Sequence, residues 1–471
     1  MQFSFKNIKG IDLTRLQKPS VLFIIFCACF SFWFMDLWRV WHYNENQFVY
    51  DPANYYSYLP AYFNYHGDFE FNHIGVQEFL GKNPTGGHMP KATYGMAFLY
   101  SPFYAIAYKV ALNQGSPMTG FSEPFATCIR WGSIFYGLLG LLLLRNLLVK
   151  FYSEKVTTIT LTIVFFGTSV FHYVMSQSEM AHGYLFMLFS AFLLTTYHWY
   201  KKITLPKSLL LGFLIGLITL IRPTEILIVF FFVFWMTGGT FSLKERLTLL
   251  LKNWWHILVM IFVCILMWVP QFIFWKHMTG NPFYFSYPGE KFYWGDPQII
   301  NILFSYRKGW FLYTPLILLA FIGFFFMKGD LKPFRNTMII IILLNIYILS
   351  CWWDWFFGGC FAARGFTHHH SYLAFPIASL ITFLFENAKN FIFKPLVQLI
   401  FIVIVFSGVC LNLGQSYQYV NGMIHFNSMT KKAYWHNFRK YKMYGMPEGE
   451  YWRKLSEPNY PKLFTGEDRD Q

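Results

Sequence analysis

Four stretches of this 471-residue chain carry side chains able to do acid–base or anion-binding chemistry. The first is Tyr50-Asp51-Pro52-Ala53-Asn54-Tyr55-Tyr56. An Asp followed by a Pro is a good helix start, so Asp51 reads as an N-cap. The same carboxylate, held at a membrane surface, can serve as a general base, and the two roles can coexist. The second stretch is Ser176-Gln177-Ser178-Glu179-Met180-Ala181-His182. Ser178 with Glu179 is an ordinary helix start. His182 falls three residues on, along the same helix face and deeper in an apolar run, where polar groups tend to be functional.

The third stretch runs from Trp352 through Asp354, Trp355, Gly358, Gly359 and Arg364 to His368-His369-His370. Tryptophans at an interface are normally anchors. Paired glycines beside an Arg allow close backbone approach and bring a guanidinium to a polar ligand. Three adjacent histidines on a helix point in different directions, which argues against one metal site using all three. The fourth stretch lies in 276–311, with Gly280-Asn281-Pro282 and then Ser305-Tyr306-Arg307-Lys308-Gly309-Trp310. Arg307 and Lys308 read either as snorkelling anchors or as a phosphate clamp. Arg222, in Ile221-Arg222-Pro223-Thr224-Glu225, could join that clamp or pair with Glu225.

The elements that must position these groups are membrane helices. Charged residues make up 13% of the chain, about half the roughly 25% of soluble domains, which excludes a soluble multidomain enzyme and a disordered chain. Apolar stretches near 20–42, 125–148, 156–175, 179–200, 207–221, 224–237, 254–275, 312–327, 336–352, 370–386 and 395–413 predict about eleven spans in an all-α polytopic membrane protein. The basic start (Lys6, Lys9, Arg15, Lys18) ahead of the first apolar run reads as an uncleaved signal anchor, with Trp38, Trp41 and Tyr43 as an interfacial belt. None of the seven cysteines forms a CxxC pair, so they read as apolar thiols.

Sidedness follows from the basic loops. With the N-terminus inside and 94–112 not crossing, the inner connections hold Arg145/Lys150/Lys155, Lys201/Lys202/Lys207, Lys244/Arg246/Lys252, Lys328/Lys332/Arg335 and Lys389/Lys394. The segment 94–112 is therefore expected as a re-entrant or interfacial piece of a long outer loop, 43–124. The formal charge of +15 becomes largely a topological signal, with no nucleic-acid partner implied. All four chemical stretches then share the outer face. A carboxylate with a cationic clamp suits glycosyl transfer from a sugar phosphate, with aromatic walls for sugar rings and an isoprenoid chain.

These stretches, in this order, resemble the integral-membrane glycosyltransferases of the GT-C fold, especially bacterial relatives of protein O-mannosyltransferases and lipid A aminoarabinose transferases. The resemblance covers most of 37–385 and includes Tyr94-Gly95 to Pro102-Phe103, Thr314-Pro315 and Trp355 to Arg364. It implies a GT-C domain over 1–413 and an outer tail over 414–471 that has no clear counterpart. It implies Asp51 as catalytic base and Glu179, a Glu where many relatives show Asp, as the second acidic residue. Arg307 and Lys308 would meet the lipid phosphate, with Arg364 and Arg222 as further candidates. His182, Tyr55, Tyr56 and Trp355 would orient the acceptor or sugar. The implied partners are a polyprenyl-phosphate sugar, a hydroxyl-bearing acceptor and membrane lipids, at the outer face of a bacterial inner membrane. Transfer would invert the anomeric carbon without a covalent intermediate. No cofactor is expected, with a divalent cation left open because some members of the wider fold use one. The competing reading is a transporter or flippase of a lipid-linked saccharide, and a third is a non-catalytic assembly subunit.

Overall fold

A computed structural model describes residues 17–37, 48–71, 75–237, 242–387, 393–440 and 451–467. The basic residues Lys6, Lys9 and Arg15, the belt residues Trp38, Trp41 and Tyr43, Lys389, and 441–450 of the tail lie outside the described residues. Among the described residues the chain is mostly helical, with one two-stranded antiparallel ribbon, β1 (Gly81–Lys82) on β2 (His88–Met89), in register Gly81 to Met89.

The helices fall in chain order. The first, α1 (Pro19–Leu37), is followed by the short loop helices α2 (Asp51–Tyr56) and α3 (Tyr58–Asn64). Then come α4 (Gly95–Gln114), α5 (Glu123–Leu148), α6 (Glu154–Phe166), α7 (Ala181–Lys201) and α8 (Leu205–Ile221). After them stand α9 (Val229–Val233), α10 (Leu243–Lys252) and α11 (Trp254–Thr279). The later elements are α12 (Ile299–Phe304), α13 (Trp310–Tyr313), α14 (Leu318–Gly323), α15 (Lys332–Cys351), α16 (His370–Thr382), α17 (Lys394–Val420), α18 (Lys431–Asn437) and α19 (Tyr460–Thr465).

Four of these, α5, α11, α15 and α17, are long and apolar enough to cross a bilayer, which marks a membrane protein. Of the other apolar stretches, 179–200 is the continuous 21-residue helix α7, and several fold as shorter or interrupted helices. The predicted span at 312–327 breaks at Thr314-Pro315, because Pro315 cannot donate to the helix ladder, and continues as α14. The predicted span at 156–175 stops with α6 at Phe166 and resumes as one wide turn, His172–Ser176. The segment 94–112, expected as a re-entrant or interfacial piece, is the continuous helix α4, closed at Gly115 in the left-handed conformation and packed on α5.

Local chemistry explains several ends. Ser242 and Glu245 close a capping box on α10, and the Ser153 and Thr430 hydroxyls cap α6 and α18. The bundle interior is formed where α5 packs on α7 and α4, α8 on α11, and α14 on α16. At the last crossing a Cβ on Gly323 would meet the Pro376 carbonyl oxygen at 2.0 Å, so only glycine allows this approach. Outer faces of α11 and α17, with Ile261, Phe262, Ile265, Ile402 and Phe406, stay exposed for lipid. None of the seven cysteines, all among the described residues, is in a disulfide, and Cys29 and Cys410 are exposed on apolar helices rather than buried.

The tail forms its own small core against the loops. Ile424, Met429, Ala433, Tyr434 and Tyr451 pack with Tyr173, Met180, Tyr313 and Phe361. The preceding helix α17 continues to Val420, beyond the expected end at 413.

Candidate functional site

Asp51 opens α2, and Tyr50 takes the cap position at φ 58° without a side-chain hydrogen bond. Its carboxylate is therefore directed elsewhere. Arg364 Nη2 donates to Asp51 Oδ2 at 2.8 Å. A positive φ in a tyrosine costs of order 1–3 kcal/mol, a strain that concentrates at functional sites. Asn54, one turn along α2, pins the surroundings. Its Nδ2 donates to the carbonyls of Tyr50 and Phe79, and its Oδ1 accepts from the Lys91 backbone at 2.7 Å.

Asp51 and Arg364 line a cavity of about 500 Å³. Arg222 and Lys91 bring further positive charge to it, and Glu290 and Asp354 bring carboxylates. The walls are aromatic: Tyr50, Tyr55, Phe79, Phe285, Tyr287, Phe292, Trp352, Trp353 and Phe357. Arg222 Nη1 is buried without a hydrogen-bond partner, and its guanidinium lies 5.7 Å from the Phe357 ring. Glu290 is held from two sides, by Trp353 Nε1 at 2.8 Å and Lys91 Nζ at 3.8 Å. Burial pushes the Asp354 carboxyl up to about 7 against the pull of the Gly358 amide, Arg364 and Lys308, and its Oδ1 is unpartnered.

Of the residues singled out in the sequence, Asp51, Tyr55, Arg222 and Arg364 meet here. Tyr56 does not: its ring stacks on Phe48 at 3.8 Å and its hydroxyl donates to the Gly120 carbonyl inside the core. Trp355 is fully buried against Phe356. Arg307 and Lys308 lie outside the cavity and hold the tail. Arg307 donates to the Asn427 carbonyl at 2.6 Å and the Ser456 carbonyl at 3.1 Å, and stacks over Phe356. Lys308 Nζ donates to the carbonyls of Cys360 and Phe426. Burial pulls the Lys308 ammonium down to about 8.

Glu179 lies in a second cavity of about 490 Å³, with Arg130, Gln177, Tyr419, His425 and Trp452. Ser178 Oγ donates to its carboxylate at 3.2 Å, and Tyr100 donates to its backbone carbonyl. His182 is buried deeper. It lies edge-on to Tyr173 and parallel to His368 at 6.4 Å between ring centroids. Sequence reading left out Lys91, Tyr287, Glu290 and Asp354 as site residues. The signal available for Glu290 was its place in the polar, glycine-bearing loop 276–311, and for Asp354 the tryptophan cluster around it.

An apolar cavity of about 630 Å³ lies between α8–α9 and α10–α11 and is lined by Phe232, Leu247, Trp254, Ile257 and Ile261 among others. No family model matches the chain, and no curated protein sequence is significantly similar to it.

Proposed function

We propose that this protein is an inverting glycosyltransferase of the GT-C type, which moves a sugar from a polyprenyl-phosphate donor to a hydroxyl on a protein, glycolipid or polysaccharide. The reading places Asp51 at the outer face of a bacterial inner membrane, in a domain of about eleven spans. The observation that carries it is the Asp51–Arg364 pair in a cavity that also holds Arg222, Lys91 and aromatic walls.

In this mechanism Arg364 is shared. An incoming donor phosphate competes with Asp51 for the guanidinium, and Arg222 supplies the second cationic contact. Release from its ion pair leaves the Asp51 carboxylate free to take a proton at the moment the donor is in place. The acceptor hydroxyl then gives its proton to Asp51 while its oxygen forms the bond to the anomeric carbon. The bond from that carbon to the phosphate oxygen breaks in the same displacement, and the electron pair leaves on the phosphate, stabilised by Arg364 and Arg222. The tyrosine and tryptophan faces suit the sugar ring.

Reconstitution in proteoliposomes with a defined lipid-linked sugar and a hydroxyl acceptor tests the reading. A new glycosidic bond, found by mass spectrometry, is the expected result. Movement of the lipid-linked sugar across the bilayer without a new bond would instead make the protein a flippase.

A further inference from the structure

Away from the cavity floor, three side chains from two distant segments come together in the protein interior. Glu225 belongs to the turn Pro223–Ile228 after α8, and His368 and His369 belong to the turn Arg364–His369 before α16. All three are buried, and one donor atom from each lies within 4.8 Å of the others. His368 Nε2 is 3.1 Å from Glu225 Oε1, and His369 Nε2 is 3.8 Å from Glu225 Oε2. Despite the short approach, neither Glu225 Oε1 nor either His nitrogen has a hydrogen-bond partner. A carboxylate and two imidazoles left so in a dry interior need something to bind them.

We infer that Glu225, His368 and His369 form a binding site for a first-row divalent cation of the Zn2+ class. Two imidazole nitrogens and a carboxylate oxygen are a common ligand set for such an ion. In a tetrahedral site with bonds of 2.0–2.1 Å, ligand atoms stand about 3.3 Å apart, close to the His368–Glu225 separation. The sequence objection to His368–His370 as one site applies to all three together. Two of them suffice once Glu225 arrives from another segment. A bound ion would tie the Arg222 turn to the Arg364 turn, since Glu225 follows Arg222 and His368 follows Arg364 within each turn. The distance between the two guanidiniums would then be set by the metal. Metal binding does not depend on the glycosyl-transfer reading and is measured without turnover.

The test uses the full chain, purified in detergent without a histidine tag, stripped with a chelator and titrated with Zn2+ alone. Calorimetry and elemental analysis are expected to find one tight Zn2+ per chain, and chelation should lower the melting temperature reversibly. Loss of a second-shell partner typically weakens metal binding 10–100-fold, so Glu225→Gln or His369→Ala should weaken it by at least about 100-fold. The variant His88→Ala, which breaks the surface His88–Glu70 pair, should bind as the parent does. Should the site variants misfold, Co2+ loaded into the parent chain reports directly, with visible d–d bands of a low-coordinate imidazole–carboxylate site expected. No tight ion in the parent chain, unchanged affinity in folded site variants, or a purely octahedral, water-like Co2+ spectrum would each overturn the inference.

Discussion

Arg364 Nη2 donates to Asp51 Oδ2 at 2.8 Å, joining the start of α2 to the turn that precedes α16. The two partners differ in enclosure: the Asp51 side chain keeps 42% of its exposure, whereas that of Arg364 keeps 14%. The carboxylate is therefore open to the cavity while the guanidinium is largely enclosed.

Arg364→Ala should lower kcat/KM for a lipid-linked donor by about 10²–10³, the typical loss when one donor to a developing anion is removed. Arg364→Lys keeps the charge without the planar fork and should recover only part of that loss. Steady-state kinetics with a phosphate-linked donor measure both, and equal activity of Ala and Lys variants to the parent would remove Arg364 from phosphate binding.

Arg307 behaves differently. Its two hydrogen bonds go to carbonyls of the tail, so Arg307→Ala should destabilise the protein by roughly 2–4 kcal/mol and leave the donor KM unchanged. Thermal unfolding and donor titration together check this. A raised KM with an unchanged melting temperature would return Arg307 to the phosphate site.

Asp354 gives a pH signature. Its carboxyl titrates near 4 when unfolded and near 7 when folded, raised by burial. Between these values the folded state binds more protons than the unfolded state, so ionisation erodes stability as the pH rises from about 4 to about 7, and no further above that. Asp354→Asn removes this cost. Its melting temperature relative to the parent should climb across that window and level off above pH 7, as scanning fluorimetry over a pH series will record. A flat difference would mean that Asp354 is ordinarily ionised in the folded protein.

Much of the cavity was legible because its residues carry local signatures. Asp51 sits beside a Pro just past an apolar run, and Arg222 precedes a Pro in a turn between apolar helices. Lys91, Glu290 and Asp354 reach the same cavity through loop packing, which no periodicity encodes. Arg307 and Lys308 look like a clamp in sequence because their partners are backbone carbonyls of Phe426, Asn427 and Ser456, in a tail without a readable pattern. The same limit applies to the spans. Hydropathy reports composition, whereas helix continuity depends on hydrogen bonding, so the apolar run holding Pro315 divides into short helices while α11, with Pro270 inside it, stays continuous. Glu225 and the histidine pair met only through the tertiary fold.

The most direct measurement is turnover by Asp51→Asn in proteoliposomes with a defined polyprenyl-phosphate sugar. Loss of a general base should reduce kcat by about 10²–10⁴, while donor binding is kept or tightened because the neutral side chain no longer competes for Arg364, and the melting temperature stays close to that of the parent protein. Full turnover by the folded Asp51→Asn protein would contradict the role of Asp51 as the base.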